Sequence, residues 1–124
     1  MDIKKALDNF SKTKIAVVGD VMLDIYTYCS SDRLSPEAPV PIGKFEEEVY
    51  APGGAANVAA NIASLGGKVC LFGYTGNDKQ REILFDKLSQ NNITNRNLYP
   101  CLKTTIQKNR IIVNEEQQVR IDRE

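Results

Sequence analysis

Hydrophobic spacing along the chain changes period several times, and each change marks an element. Ile3, Leu7 and Phe10 recur at helical spacing and predict a short amphipathic helix over residues 2–11. Lys14-Ile15-Ala16-Val17-Val18-Gly19 is a compact apolar run without alternation. That pattern predicts a strand buried on both faces of a helix-covered parallel sheet. Residues 25–32 and 40–50 mix Tyr, Thr, Val, Ile and Phe with charges and read as half-exposed strands. Between them Pro36, Pro39 and Pro41 forbid a helix and favour an extended connection. The pair is therefore expected to leave the main sheet as a flap or lid.

Pro52-Gly53-Gly54 then opens a predicted helix over residues 55–65, with Val58, Ile62 and Leu65 as its apolar stripe. Ala55, Ala56, Ala59, Ala60 and Ala63 keep it slim, and Gly66-Gly67 ends it with a left-handed cap. Residues 69–73 read as a second buried strand, and Asp78 caps a third helix over 79–90 with Ile83, Leu84 and Leu88 inward. Residues 104–113 and 118–122 read as two more strands. The order predicts an α/β fold: a mostly parallel sheet covered by helices, with a small β lid. The chain ends directly after a strand, which leads us to expect a fragment of a larger domain.

Composition narrows the chemistry. The 124 residues are 42% apolar and 26% charged, which argues against disorder. Sixteen basic and sixteen acidic side chains cancel. Through Ile62 there are six basic and nine acidic residues (−3), and beyond it ten and seven (+3). No basic field invites nucleic acid, and no apolar run approaches a membrane span, so neither partner is expected. The first residues lack the apolar core of a secretion signal, and a cytoplasmic setting follows. Histidine is absent, which removes Ser-His and Cys-His nucleophile pairs and His-ligated zinc. Cys29, Cys70 and Cys101 fit no metal spacing and read as reduced thiols packed as small hydrophobes.

Gly53-Gly54 before a helix lets a ligand approach the backbone, and the helix start offers free N–H groups suited to sugar hydroxyls or an anion. A plain strand-to-helix turn explains the glycines equally well. Asn57 lies in the first turn and faces whatever that loop holds. Asn61, a turn deeper, is expected to satisfy a buried backbone group. Asp20 and Asp24 follow the first strand, where open α/β sheets bind ligands, and their carboxylates suit a polyol or a cap. Lys108 and Arg110 share one face of a strand, as do Arg120 and Asp122. The first pair suits a phosphate, and a solvated face is the plainer reading. Glu46-Glu47-Glu48 reads as a solvated lid edge. Neither common glycine-rich nucleotide loop is present.

Gly53-Gly54-Ala55-Ala56-Asn57-Val58-Ala59, then Gly66, then Gly76, resembles the first signature of the ribokinase (PfkB) sugar-kinase family. Residues 18–24, 33–41 and 52–66 resemble its D-glycero-β-D-manno-heptose-7-phosphate kinase branch, and similarity runs from about Lys14 to Asp122. The resemblance implies ATP-dependent phosphorylation of heptose 7-phosphate at C1, on the way to ADP-heptose and lipopolysaccharide. It implies that residues 1–124 are the sugar-binding portion, with the catalytic base and the Mg²⁺–ATP site in a later portion. This portion would then bind no cofactor or metal, carry no catalytic residue and be inactive alone. A non-catalytic sugar-binding or dimerisation module is the alternative. Asp24, Gly53, Gly54 and Asn57 match the family's sugar contacts. Arg33, Lys108 and Arg110 are candidates for the substrate's phosphate. The lid strands match the family's dimer contact, so a homodimer through the lid is expected. One departure stands out: Ile25 occupies a place that is often basic.

Overall fold

In a computed structural model, residues 3–124 are described. A short helix α1 (Ile3–Asp8) and a 3-10 turn (Phe10–Lys12) lead into strand β1 (Lys14–Val18). Strands β2 (Val21–Ser30) and β3 (Lys44–Gly54) follow, then helix α2 (Ala55–Ser64) and strand β4 (Lys68–Thr75). Helix α3 (Lys79–Gln90), strand β5 (Leu98–Pro100) and the strands β6 (Ile106–Val113) and β7 (Glu116–Arg123) complete the chain.

The strands form two sheets. One is parallel throughout, in the order β1-β4-β5. The other runs β3-β2-β6-β7, with β2 and β6 parallel and both outer pairs antiparallel. The expected α/β class holds. The lid is longer than periodicity suggested, because its strands start at Val21 and continue to Gly54. Val21, Leu23 and Ile25 alternate inward and are buried, while Met22, Asp24 and Tyr26 take the other face. Asp24 therefore sits inside a strand, not in a loop after one.

The core is Val21, Leu23, Ile25, Leu71, Leu84, Leu88, Ile93 and Leu98, closed by Ala56 and Ala59. The helix α2 packs through its alanines, not its larger residues. Ala56 and Ala59 are 0% exposed, whereas Val58 is 51% and Leu65 is 63% exposed. Only methyl groups let the helix axis approach the strands this closely, so Val58 and Leu65 are turned away from the core. Ile62 and Leu65 instead line a shallow apolar hollow with Phe10 and Ile15. Asn61 is exposed, and its side chain bonds no buried group among the described residues, contrary to expectation.

The strand β1 is also not buried on both faces: four of its five residues are exposed, and Val18 is 77% exposed. Among the described residues, helix α2 covers one face of it and nothing comparable covers the other. Cys70 is exposed and Cys29 and Cys101 are half-buried, all three as free thiols, so they are not packed in the core as expected. The terminal helix stops at Asp8 and its Ile3 and Leu7 stay exposed; residue 2 of the predicted span lies outside the described residues. The Gly66 cap forms as expected, at φ +86°. No described helix is long and apolar enough to cross a membrane.

A buried polar junction joins the two sheets. The Asp78 carboxylate caps α3 by accepting from the Arg81 backbone N–H (3.0 Å). It also accepts from the Thr105 N–H (2.8 Å) and hydroxyl (2.7 Å). The Thr105 hydroxyl in turn accepts from the Gly76 N–H (3.0 Å). A Cβ on Gly76 would lie 2.4 Å from the Thr105 nitrogen, which is why no side chain fits there. Burial disfavours the charged Asp78, but the bonds from Thr105 and then Arg81 outweigh it and hold its pKa below the ordinary carboxylate range.

This junction should be visible in stability measurements. Thr105 is fully buried, so Thr105→Val orphans the Gly76 N–H and is expected to cost about 2 kcal/mol in urea unfolding, with Thr105→Ser costing less. Because Asp78 has a depressed folded pKa, its contribution is complete above its unfolded value of about 4 and is lost as pH falls through the folded value. Asp78→Asn should flatten that acid limb; an unchanged limb would assign it to other carboxylates.

Candidate functional site

The turn from β3 into α2 is the local origin of the site. Gly54 has φ +55° and ψ −129°, a conformation that residues with a Cβ adopt only under strain. A Cβ there would stand 2.4 Å from the Asp20 carbonyl oxygen and 2.8 Å from Met22 Cε. That carbonyl accepts the Ala55 N–H at 2.8 Å, so the bend after β1 and the start of α2 are stitched together through their backbones.

Gly53 has a different task. A Cβ there would meet Asp24 Oδ2 at 2.8 Å and Asp24 Cγ at 2.9 Å. The missing side chain is the space the carboxylate occupies. Asp24 Oδ1 accepts from Arg110 Nη1 at 3.0 Å, and both side chains are largely shielded. Arg110 also lies over the Tyr26 ring, 5.1 Å from its centre. The bond to Asp24 raises the Arg110 pKa against the opposing effect of burial, so the guanidinium stays charged. Asp24 Oδ2 takes no hydrogen bond among the described residues and faces the glycine turn, one acceptor open to a ligand.

Lys108 is directly opposite Asp24 in the β2–β6 register, yet its ammonium pairs with β7 instead. It donates to Asp122 Oδ2 at 2.9 Å and lies 3.5 Å from Glu124 Oε1. The bond to Asp122 raises the lysine pKa and lowers that of the aspartate. Arg120 completes the group with two bonds to Asp122, at 2.9 and 3.0 Å. The charged face of β6 and β7 is thus a paired network rather than separate solvated side chains.

The structure therefore gathers Asp24, Gly53, Gly54 and Arg110 in one place, with Lys108 on the neighbouring strand position. Asn57 lies exposed in the first turn of α2, three residues past Gly54. Arg33 is elsewhere. It follows the far end of β2, which is six residues and about 20 Å from Asp24. Arg33 borders a separate hollow with Leu34, Pro41 and Asn114. Tyr26 and Arg120 were missed as members of the site, although strand alternation with Asp24 and Asp122 puts each on the same face. Of the lid-edge glutamates, Glu48 is engaged: the Tyr50 hydroxyl donates to it at 2.6 Å, which raises the tyrosine pKa. No cluster of three or more His, Cys, Asp or Glu able to hold a metal occurs among the described residues. This donor set does not fit a Mg²⁺–nucleotide.

The parallel sheet with helices and a β lid is the fold of the ribokinase-like carbohydrate kinases. A carbohydrate kinase from Agrobacterium tumefaciens superposes with a TM-score of 0.69 at 18% identity, over 89% of this chain and 35% of that one. Ribokinase of Arabidopsis thaliana, solved with ribose and ATP, gives 0.67 at 18% identity over the same shares. The pfkB family carbohydrate kinase profile matches residues 12–124, and the chain belongs to that family. Among curated relatives, the bifunctional protein HldE of Blochmanniella pennsylvanica is 47% identical over 114 residues. The match covers 92% of this chain and 24% of that relative, so the chain spans about a quarter of its length.

Proposed function

We propose that residues 1–124 form the sugar-binding portion of a heptose-7-phosphate kinase, which phosphorylates D-glycero-D-manno-heptose 7-phosphate at C1 with ATP. The HldE resemblance supports the substrate class, and the family supports the reaction type. One observation carries the reading: Asp24 is anchored through Oδ1 to Arg110, while Oδ2 packs into the space Gly53 leaves and takes no hydrogen bond among the described residues. A fixed anionic acceptor with a bare backbone next to it suits a hydroxyl of a polyol, which donates one strong hydrogen bond to a carboxylate. Asn57, at the start of α2, offers an amide that can both donate and accept to a neighbouring hydroxyl. Lys108 and Arg110 carry positive charge toward the phosphate end of such a ligand.

Phosphoryl transfer also needs a positioned base, a metal and charge stabilisation of the nucleotide. The resemblance implies that the base and anion hole lie in a G-A-G-D-type motif, which these 124 residues do not contain, and that the Mg²⁺–ATP site lies in the same later portion. The chain by itself is therefore expected to bind the sugar and transfer nothing. Titration calorimetry with heptose 7-phosphate should show saturable heat, and a coupled assay with ATP should show no ADP. Absence of binding at millimolar ligand would remove the sugar-binding reading, and sustained ADP formation would place the catalytic machinery within this chain.

A further inference from the structure

Arg110 and Arg120 are direct partners in the β6–β7 register. Directly opposed side chains of an antiparallel pair share one face and stand about 5 Å apart at Cβ, and like charges so placed repel. Here the repulsion is balanced from two sides. Asp24 holds Arg110 through Nη1, and Asp122 holds Arg120 through Nε and Nη2. Asp122 also acts on Arg110 through space. Each guanidinium has five N–H donors, so both keep unused ones after these bonds. Arg120 is the more open of the two, with a side chain 47% exposed against 22% for Arg110.

We propose that the opposed Arg110–Arg120 pair is a clamp for a phosphomonoester, with Arg120 a binding residue and Asp122 its resident counter-charge. The proposal rests on the sugar-phosphate reading above and names the subsite for the phosphate. Two guanidiniums side by side can each donate to a phosphate oxygen, and a dianion removes the repulsion between them. Position supports it too. From Asp24 on β2 to Arg120 on β7 is two strand spacings across and two residues along, about 12 Å between backbones. A sugar ring with its hydroxyls at Asp24 and an extended terminal phosphate covers that span. Lys108 lies on the same face, paired with Asp122 and Glu124. Three cations and three carboxylates balance here, so the phosphate must enter by exchange with Asp122. That makes Asp122 a restraint on affinity, which a purely structural ion pair would not be.

The test uses the full chain in calorimetry and ³¹P NMR at low salt, with three probes. These are heptose 7-phosphate, the same heptose without phosphate, and inorganic phosphate. Arg120→Gln should weaken heptose 7-phosphate by about tenfold more than it weakens the plain heptose. Asp122→Asn should tighten inorganic phosphate severalfold, and Arg120→Gln should abolish that gain. Thermal unfolding of both variants guards against a folding defect. If Arg120→Gln affects both sugars equally or neither, the clamp is wrong. If plain heptose binds as well as its phosphate, the clamp fails and the polyol site stands. If inorganic phosphate binds in an Arg120-dependent manner while neither sugar binds, the clamp stands and the polyol reading fails. Silence from all three probes removes both.

Discussion

Gly54→Ala is expected to destabilise the protein by about 3 kcal/mol or more, a large share of the about 5–15 kcal/mol that holds a typical domain folded. Two costs add. The backbone at φ +55° and ψ −129° is a glycine conformation, and forcing alanine into it costs about 1–3 kcal/mol. The new Cβ would then sit 2.4 Å from the Asp20 carbonyl, a backbone atom that cannot swing aside as a side chain can. Relief requires moving the bend after β1 away from α2, which breaks the Ala55 bond to that same carbonyl. Gly66→Ala is the matched control. It has φ +86° but open space around it, so only the backbone cost applies, about 1–2 kcal/mol. Urea unfolding of the two variants separates them. Equal losses would show that the Asp20 contact relaxes freely and that the turn is not the rigid joint described above.

Gly53→Ala is expected to act on binding more than on folding. Gly53 does not have a positive φ, so alanine brings no strain of the Gly54 kind. Its Cβ would occupy the place of Asp24 Oδ2, and a carboxylate on a side chain can rotate away. Rotation breaks the bond to Arg110 or turns the open oxygen from the glycine turn. Either way the acceptor offered to a sugar hydroxyl is misplaced. A hydrogen bond to a charged group contributes about 1.5–3 kcal/mol, so affinity for heptose 7-phosphate should fall by about tenfold to a hundredfold. Asp24→Asn should produce a loss of similar size without the steric change, and the double variant should lose little more than either single one. Full additivity would show that the glycine and the carboxylate act separately, and would dissolve the site as drawn. Calorimetry on the three variants, with circular dichroism to confirm folding, makes the comparison.

The Asp24–Arg110 contact shows how far the primary sequence reaches. Both residues were legible as candidates, one by its place after an apolar run, the other by alternation along a strand. Their union was not, because they lie 86 positions apart and meet only through the parallel β2–β6 pairing. Arg110 consequently read as part of a solvated face or as a phosphate candidate, and its service to Asp24 stayed hidden. Arg33 illustrates the converse. Its motif lies close to Asp24 in sequence, yet a strand rises about 3.3 Å per residue and carries the chain well away before Arg33 is reached.

Helix α2 marks another limit. Its position and both ends follow from local chemistry: glycines that permit the entry turn, and Gly66 in a left-handed cap. The face it buries does not follow. Periodicity favoured the stripe of larger residues, but the sheet admitted only the alanines, since the distance between layers is set by what lies across from the helix. The exposed faces of β1 have the same cause, because an apolar run reports a strand's affinity for cover and not whether cover is present.

Local sequence thus determined the order of most elements, the double-glycine entry to α2 and the Asp78 cap. These depend on backbone freedom and hydrogen bonds within a few residues. Tertiary structure alone decided which face of α2 meets the core, that Asp24 shares its charge with Arg110, and that Arg110 faces Arg120 across β6 and β7. Those facts depend on which strands become neighbours and in what register. Side-chain alternation fixes the face a residue takes, but only the assembled sheet supplies the residue beside it.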